Sequence, residues 1–124
     1  MTLPFDPVRY LSLAQELALS TENEAKLRTA VGRAYYALHL LAREKLGIKP
    51  SSKEHRIERN HLDKEDPGAA LKMNALEGWR VVADYQLLPS DPTRHNWQEN
   101  WAEVRDLVDD IRPRLERLER IQGR

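Results

Sequence analysis

Two short stretches of this sequence set ionisable and hydrogen-bonding side chains into runs that otherwise read as apolar helix. In Arg33-Ala34-Tyr35-Tyr36-Ala37-Leu38-His39-Leu40 they are a guanidinium, two phenols and an imidazole; in Trp79-Arg80-Val81-Val82-Ala83-Asp84-Tyr85 they are an arginine, an acid and a phenol. A guanidinium holds an anion, an imidazole exchanges a proton near neutral pH, and a phenol bonds through a hydroxyl that stays protonated there. At 100° per residue, Arg28, Gly32, Tyr35, His39 and Arg43 fall within about 80° of one another, a stripe distinct from the apolar seam of Leu27, Val31, Ala34 and Leu38. Two readings fit this stripe: a polar cleft or dimer seam, or a wall of amphipathic tyrosines in which Gly32 admits a neighbouring helix. A mid-helix glycine costs roughly 1 kcal/mol relative to alanine, so a close approach by another backbone or by a ligand is expected at Gly32. In the second stretch Arg80 and Asp84 are spaced i,i+4, close enough to pair, either as part of a site or as an ion pair that fixes the end of the bundle.

Together the two stretches resemble the HEPN family (higher eukaryotes and prokaryotes nucleotide-binding domain). Those proteins are small helical bundles in which an Arg-Ala-Tyr-Tyr-Ala segment on one long helix faces an Arg-x-x-Ala-Asp-Tyr segment on another. Both segments stand in that order here, and the resemblance covers nearly the whole chain. It implies Arg80, Asp84 and Tyr85 as the catalytic set, Arg33, Tyr35, Tyr36 and His39 as the binding set, and no metal or cofactor. It implies a homodimer, with RNA or a nucleotide as ligand and a minimal nucleotidyltransferase as partner in a toxin–antitoxin-like pair. Two alternatives remain open: a metal-independent ribonuclease toxin, and a non-catalytic nucleotide-binding or scaffolding bundle.

Ribonuclease members of the family place an Arg and a His, separated by four to six residues, near the end of the second of these helices. The imidazole there would move a proton at the ribose 2′-hydroxyl or the leaving oxygen, and the guanidinium would stabilise charge on the phosphate. This sequence has Tyr85 where that histidine could stand, and a phenol titrating near pH 10 is a poor base at neutrality, so enzyme activity is left open. The family pattern Tyr-Tyr-Ala-x-Phe-His also differs, because His39 falls one position early, a rotation of about 100° around the helix. Other Arg-to-His spacings of the right length occur in Arg33 to His39 and in Arg56 to His61, about as often as chance places them; the second is polar and expected at the surface.

The elements that carry these residues are marked by three Asp-Pro dipeptides, Asp6-Pro7, Asp66-Pro67 and Asp91-Pro92, each a helix start. The first helix follows Asp6 to about Ser20, with Phe5 and Tyr10 as a staple and Leu13, Ala14, Leu17 and Ala18 as its stripe. Thr21 with Glu24 reads as the capping box of the second, which ends at Gly47. A short charged helix is expected from about Ser52 to Leu62, capped by Ser51 and Glu54. The fourth runs from Asp66-Pro67 through Leu71, Leu76, Trp79, Ala83 and Leu87 to a stop at Pro89. The last starts near Asp91-Pro92 and repeats Trp97, Trp101, Val104, Val108, Ile111, Leu115 and Leu118 at alternating spacings of four and three, with a kink expected before Pro113. The fold class is all-α: an up-and-down bundle of four main helices plus a short one, one HEPN-like domain over residues 1–124.

Composition bounds what this domain does. Twenty Lys plus Arg balance twenty Asp plus Glu, so no overall field draws in nucleic acid or membrane, and any RNA contact must be local. Cysteine is absent, which excludes thiolate chemistry and zinc–thiolate sites. The histidines His39, His55, His61 and His95 show no close His or acidic pairing of the kind a metal site needs, and no phosphate-cradling glycine loop is present. The arginines from Arg112 to Arg124 interleave with acids and read as a solvated face. The N-terminus lacks a basic and an apolar leader region, so a cytoplasmic protein with no membrane association is the expectation.

Overall fold

A computed structural model describes residues 6–19, 23–49, 53–85 and 96–118, and every regular element among them is an α-helix. The helices are α1 (Val8–Ala18), α2 (Glu24–Leu46), α3 (Glu54–Glu65), α4 (Pro67–Tyr85) and α5 (Trp97–Glu116). No helix among the described residues is long and apolar enough to cross a membrane.

Their ends follow from local chemistry. The Asp6 carboxylate accepts from the Val8 N–H at 3.0 Å, and Asp66 accepts from Ala69 N–H at 3.1 Å, so both described Asp-Pro pairs open helices as their sequence implies. Asp66 also donates its own N–H to the Leu62 carbonyl at 2.7 Å, so a single residue ends α3 and starts α4. The second helix is capped by Asn23, whose side chain accepts from Lys26 N–H; the expected cap Thr21 lies outside the described residues. Gly47 ends α2 in the left-handed conformation at φ 67°, where glycine has no Cβ penalty. The third helix begins after Lys53 with no side-chain cap bond and extends to Glu65, beyond the expected Leu62, while Ser51 lies outside the described residues. Asn96 caps α5 by accepting from Glu99 N–H at 2.8 Å, and the helix continues through Pro113 to Glu116. Phe5, Leu87, Pro89 and Asp91-Pro92 also lie outside the described residues.

The long α2 is the central element, touching each of the other four helices. Contacts at its start and middle fix the directions. Arg28 reaches the carbonyls of Val82 and Ala83 while Tyr35 reaches Glu77, so α4 runs antiparallel to α2. Arg114 near the end of α5 pairs with Asp66 at the start of α4, so α5 reverses again. The third helix is the exception: Tyr35 meets His55 and His39 meets Glu58, which sets α3 parallel to α2.

The core follows the expected seam of α2, with Leu27, Val31, Ala34, Leu38 and Leu41 buried. It is completed by Leu11, Ala14 and Ala18 of α1, Met73 and Leu76 of α4, and Val104, Val108, Ile111 and Leu115 of α5. Several expected core positions differ. Leu13 and Leu71 are exposed, because Leu11 and Met73 take the inward positions of their helices. Trp101 is only partly buried, as are Leu17, Trp79 and Leu118 at the margin of the core, while Trp97 is buried and Arg28 stacks on its ring at 4.5 Å. Ion pairs tie α4 to α5: Lys72 with Asp110, and Arg114 with Asp66 at 3.0 Å. A Cβ at Gly68 would lie 2.6 Å from the Arg114 guanidinium, so the glycine leaves room for that reach.

Candidate active site between α2, α3 and α4

Two members of the polar stripe of α2, Tyr35 and His39, are buried under α3 and α4, and both meet ionisable partners there. Tyr35 is fully buried, with its hydroxyl 2.9 Å from His55 Nδ1 and 2.9 Å from Glu77 Oε2. A carboxylate only accepts, so the single phenolic proton goes to Glu77, and the phenol oxygen accepts from a proton on His55 Nδ1. Burial, and next the negative charge of Glu77, hold the Tyr35 phenol well above its ordinary value of 10, so it remains a neutral donor.

One turn further along α2, His39 is buried as well, and its Nδ1 meets the Oε2 of Glu58, a carboxylate with no solvent exposure. The His39 and His55 rings stack with centroids 4.0 Å apart and planes 4° from parallel, so the two imidazoles form one block between α2 and α3. Arg59 adds a positive charge 3.9 Å from Glu58 and also donates to Asn74 of α4. Beyond these polar contacts, α3 contributes a single fully buried apolar side chain, Leu62. Ionisable groups therefore dock this helix as much as apolar area does.

The second sequence stretch closes the site from α4. Arg80 donates to Asp84 at 3.2 Å, with its guanidinium carbon 5.5 Å from the Tyr35 ring and 5.9 Å from the Tyr36 ring. Two aromatic faces and a carboxylate thus hold the charge in place at the rim of the buried network. The last turn of α4 has no basic residue of its own, and Arg28 supplies one from α2, donating to the Ala83 carbonyl at 3.0 Å. Gly32 stands beside this end of α4, where a Cβ would lie 4.0 Å from Asp84 Oδ1. That is ordinary contact distance, so no close backbone approach among the described residues requires the glycine.

The structure brings Tyr35, Tyr36, His39, Arg80 and Asp84 to one place and leaves two expected residues outside it. Arg33 points to the α1 side, with its guanidinium 5.3 Å from the Tyr10 ring. Tyr85 is 71% exposed on the outer side of α4. Arg56 and His61 are both exposed on α3. The arginines of α5 are paired, Arg112 with Glu116 at 3.1 Å and Arg114 with Asp66 and Asp110, as a solvated face would have them.

The expectation that the histidines lack acidic and mutual pairing is corrected for two of them. His39 pairs with Glu58, His55 lies 3.8 Å from Glu77, and the two rings stack on each other. Glu58, His55 and Glu77 were not singled out in the sequence, although a signal was present: His55 and Glu58 are spaced i,i+3, as are Glu77 and Arg80, matching Tyr35 and His39 at i,i+4 on the facing helix. Among the described residues no group of three or more His, Asp and Glu side chains is arranged to hold a metal ion. In comparisons with family models, curated proteins and solved structures, the chain matches none.

Proposed function

We propose that the chain is a HEPN-type bundle that forms a homodimer and works with a minimal nucleotidyltransferase as a toxin–antitoxin-like pair, with the α2–α4 site as its working surface. The observation that carries this reading is the meeting of the two stretches: Arg80 of Arg-Val-Val-Ala-Asp-Tyr lies against both tyrosines of Arg-Ala-Tyr-Tyr-Ala. That facing arrangement is the one the resemblance implies, and it arises here from two segments 47 positions apart, Arg33 to Arg80. A homodimer is supported by the outer side of α4, where Leu71, Ala75, Gly78, Val81 and Tyr85 are exposed and carry no formal charge, in a chain of which 32% is charged.

The test is co-expression with a nucleotidyltransferase encoded beside this gene. The chain alone should slow growth, co-expression should restore it, and the two proteins should co-elute. A chain that has no effect on growth and passes the nucleotidyltransferase without binding would refute the pairing.

A second reading, a metal-independent ribonuclease, is favoured by one observation: an imidazole, His55, sits at the same phenol that Arg80 covers. A proton-transfer group and a phosphate-binding cation therefore share one wall.

A further inference from the structure

We infer that His55 is the acid–base residue of the α2–α4 site and Arg80 its phosphate-binding residue, with Tyr35 and Glu77 as positioning residues that set the His55 tautomer. The inference rests on the ribonuclease reading and supplies the proton acceptor that α4 itself lacks.

The argument begins with one proton. Tyr35 has a single hydroxyl hydrogen and two partners at 2.9 Å, Glu77 Oε2 and His55 Nδ1. With that hydrogen on the carboxylate, Nδ1 must carry its own, which makes Nε2 the accepting nitrogen of the neutral ring. Carboxylate, phenol and imidazole thus form a relay that orients the base through a hydrogen bond to its other nitrogen, the logic by which an acid fixes the histidine of a nucleophile–base pair. The Tyr35 and His55 rings lie with planes within 6° of parallel and centroids 6.1 Å apart. Behind His55 the stacked His39 ring, buried against Glu58, blocks rotation of the imidazole. The His55 side chain is 41% exposed, so a ring held on one side by buried groups still meets solvent.

Arg80 completes the arrangement. Its guanidinium rests on the Tyr35 and Tyr36 rings, and its bond to Asp84 is made to a side chain 42% exposed, which an entering phosphate can displace. The Tyr36 ring is itself part-exposed and offers a face on which a base can stack. The substrate class that fits an imidazole, a guanidinium and an aromatic rim is single-stranded RNA. In the reaction the 2′-oxygen attacks phosphorus while its proton passes to His55 Nε2; the phosphorus–O5′ bond breaks, and O5′ takes a proton from water. The imidazolium then returns its proton to solvent. The products are a 2′,3′-cyclic phosphate and a 5′-hydroxyl, with no net consumption of water and no oxidant or reductant.

The experiment uses the purified full-length chain with a chelator and a mixed-sequence single-stranded RNA. Wild type should give ends carrying 2′,3′-cyclic phosphate, with kcat rising through the pH range in which an imidazole loses its proton. His55→Ala should reduce kcat by at least about a hundredfold, within the range of general acid–base catalysis. Tyr35→Phe and Glu77→Gln should retain part of the rate and shift the acidic limb of the pH profile, which loss of packing alone does not do. Histidine-labelled nitrogen NMR should place the neutral-ring proton of His55 on Nδ1 in wild type and on either nitrogen in Tyr35→Phe. Cleavage by wild type with an undiminished rate in a folded His55→Ala variant would overturn the assignment of His55 while leaving the ribonuclease reading intact. No cleavage by wild type would remove that reading and the His55 assignment together. A wild-type His55 protonated on Nε2 would overturn the role of Tyr35 and Glu77 whatever the activity.

Discussion

Tyr35 is a fully buried phenol with two hydrogen-bond partners, Glu77 and His55. Its titration has a stability consequence whose sign is set by burial. The folded-state value lies above the ordinary 10, so the phenol contributes fully below pH 10. Above that, the unfolded chain gives up its proton while the folded chain keeps it, and stability falls by up to about 1.4 kcal/mol per pH unit from this group. Urea unfolding from neutrality to about pH 11 should show this slope in wild type and its loss in Tyr35→Phe, which should also cost roughly 1–3 kcal/mol at neutral pH by leaving Glu77 short of a donor. Arg80 makes a second residue-scale prediction. In an RNA-cleavage assay Arg80→Ala should abolish activity, whereas Tyr85→Phe, on the exposed outer side of α4, should leave it close to wild type, with both variants folded by circular dichroism. Full activity in folded Arg80→Ala would move attention to Arg56 and His61. The sequence made Tyr35, His39, Arg80 and Asp84 visible because they break apolar runs at helical spacing. It hid His55 and Glu58, which sit among other charged residues, and Glu77, a single acid in an apolar run, since each gains meaning only from the helix it faces.

At the scale of the element, α2 was the most legible helix and α3 the least, and the reason is physical. Helix α2 buries a continuous seam from Leu27 to Leu41, so its apolar period is strong, whereas α3 docks largely through His55, Glu58 and Arg59, which hydrophobic periodicity does not register. Its direction, parallel to α2, is set by the pairs Tyr35–His55 and His39–Glu58 between helices, which no local pattern encodes. Two substitutions test the helix assignments. Gly32 has room for a methyl group, so Gly32→Ala should stabilise the chain by about 0.5–1 kcal/mol through helix propensity, seen as a higher midpoint in denaturant. A lower midpoint would mean that something outside the described contacts uses that space. Trp101 lines an open groove of about 520 Å³ between α1 and α5 with Leu11, Leu27 and Val108. Its truncation to alanine should therefore cost only about 2 kcal/mol, against roughly 3–5 kcal/mol for the buried Trp97. Equal losses for the two would place Trp101 in the core seam after all. Between α4 and α5, Lys72 leads the groups that hold the Asp110 carboxyl below its usual 3.8, so this latch weakens only as the pH falls below that value.

For the whole molecule the charge distribution is more telling than the net charge of zero. Exposed positions of α5 carry Glu99, Glu103, Arg105, Asp106, Asp109, Asp110 and Glu116, the solvated face expected of a bundle helix. The outer side of α4 carries Leu71, Ala75, Gly78 and Tyr85 at spacings of four, three and seven, within about 80° of one another, and no charge. Gly78 lies at the middle of that stripe, and a Cβ there would meet nothing within 4 Å. An apolar stripe with its smallest residue at the centre is complementary to itself under a two-fold axis, because Leu71 of one copy comes opposite Tyr85 of the other and the backbones approach closest at Gly78. The chain should therefore run in light scattering at micromolar concentration as twice its 14.4 kDa mass. Gly78→Arg should give a folded monomer with unchanged helicity, since the added side chain enters open space in the single chain and a crowded, uncharged contact in the pair. A wild-type mass of one chain would end the dimer proposal, and a Gly78→Arg protein that remains dimeric would move the interface to the Gly32–Tyr36 edge of α2.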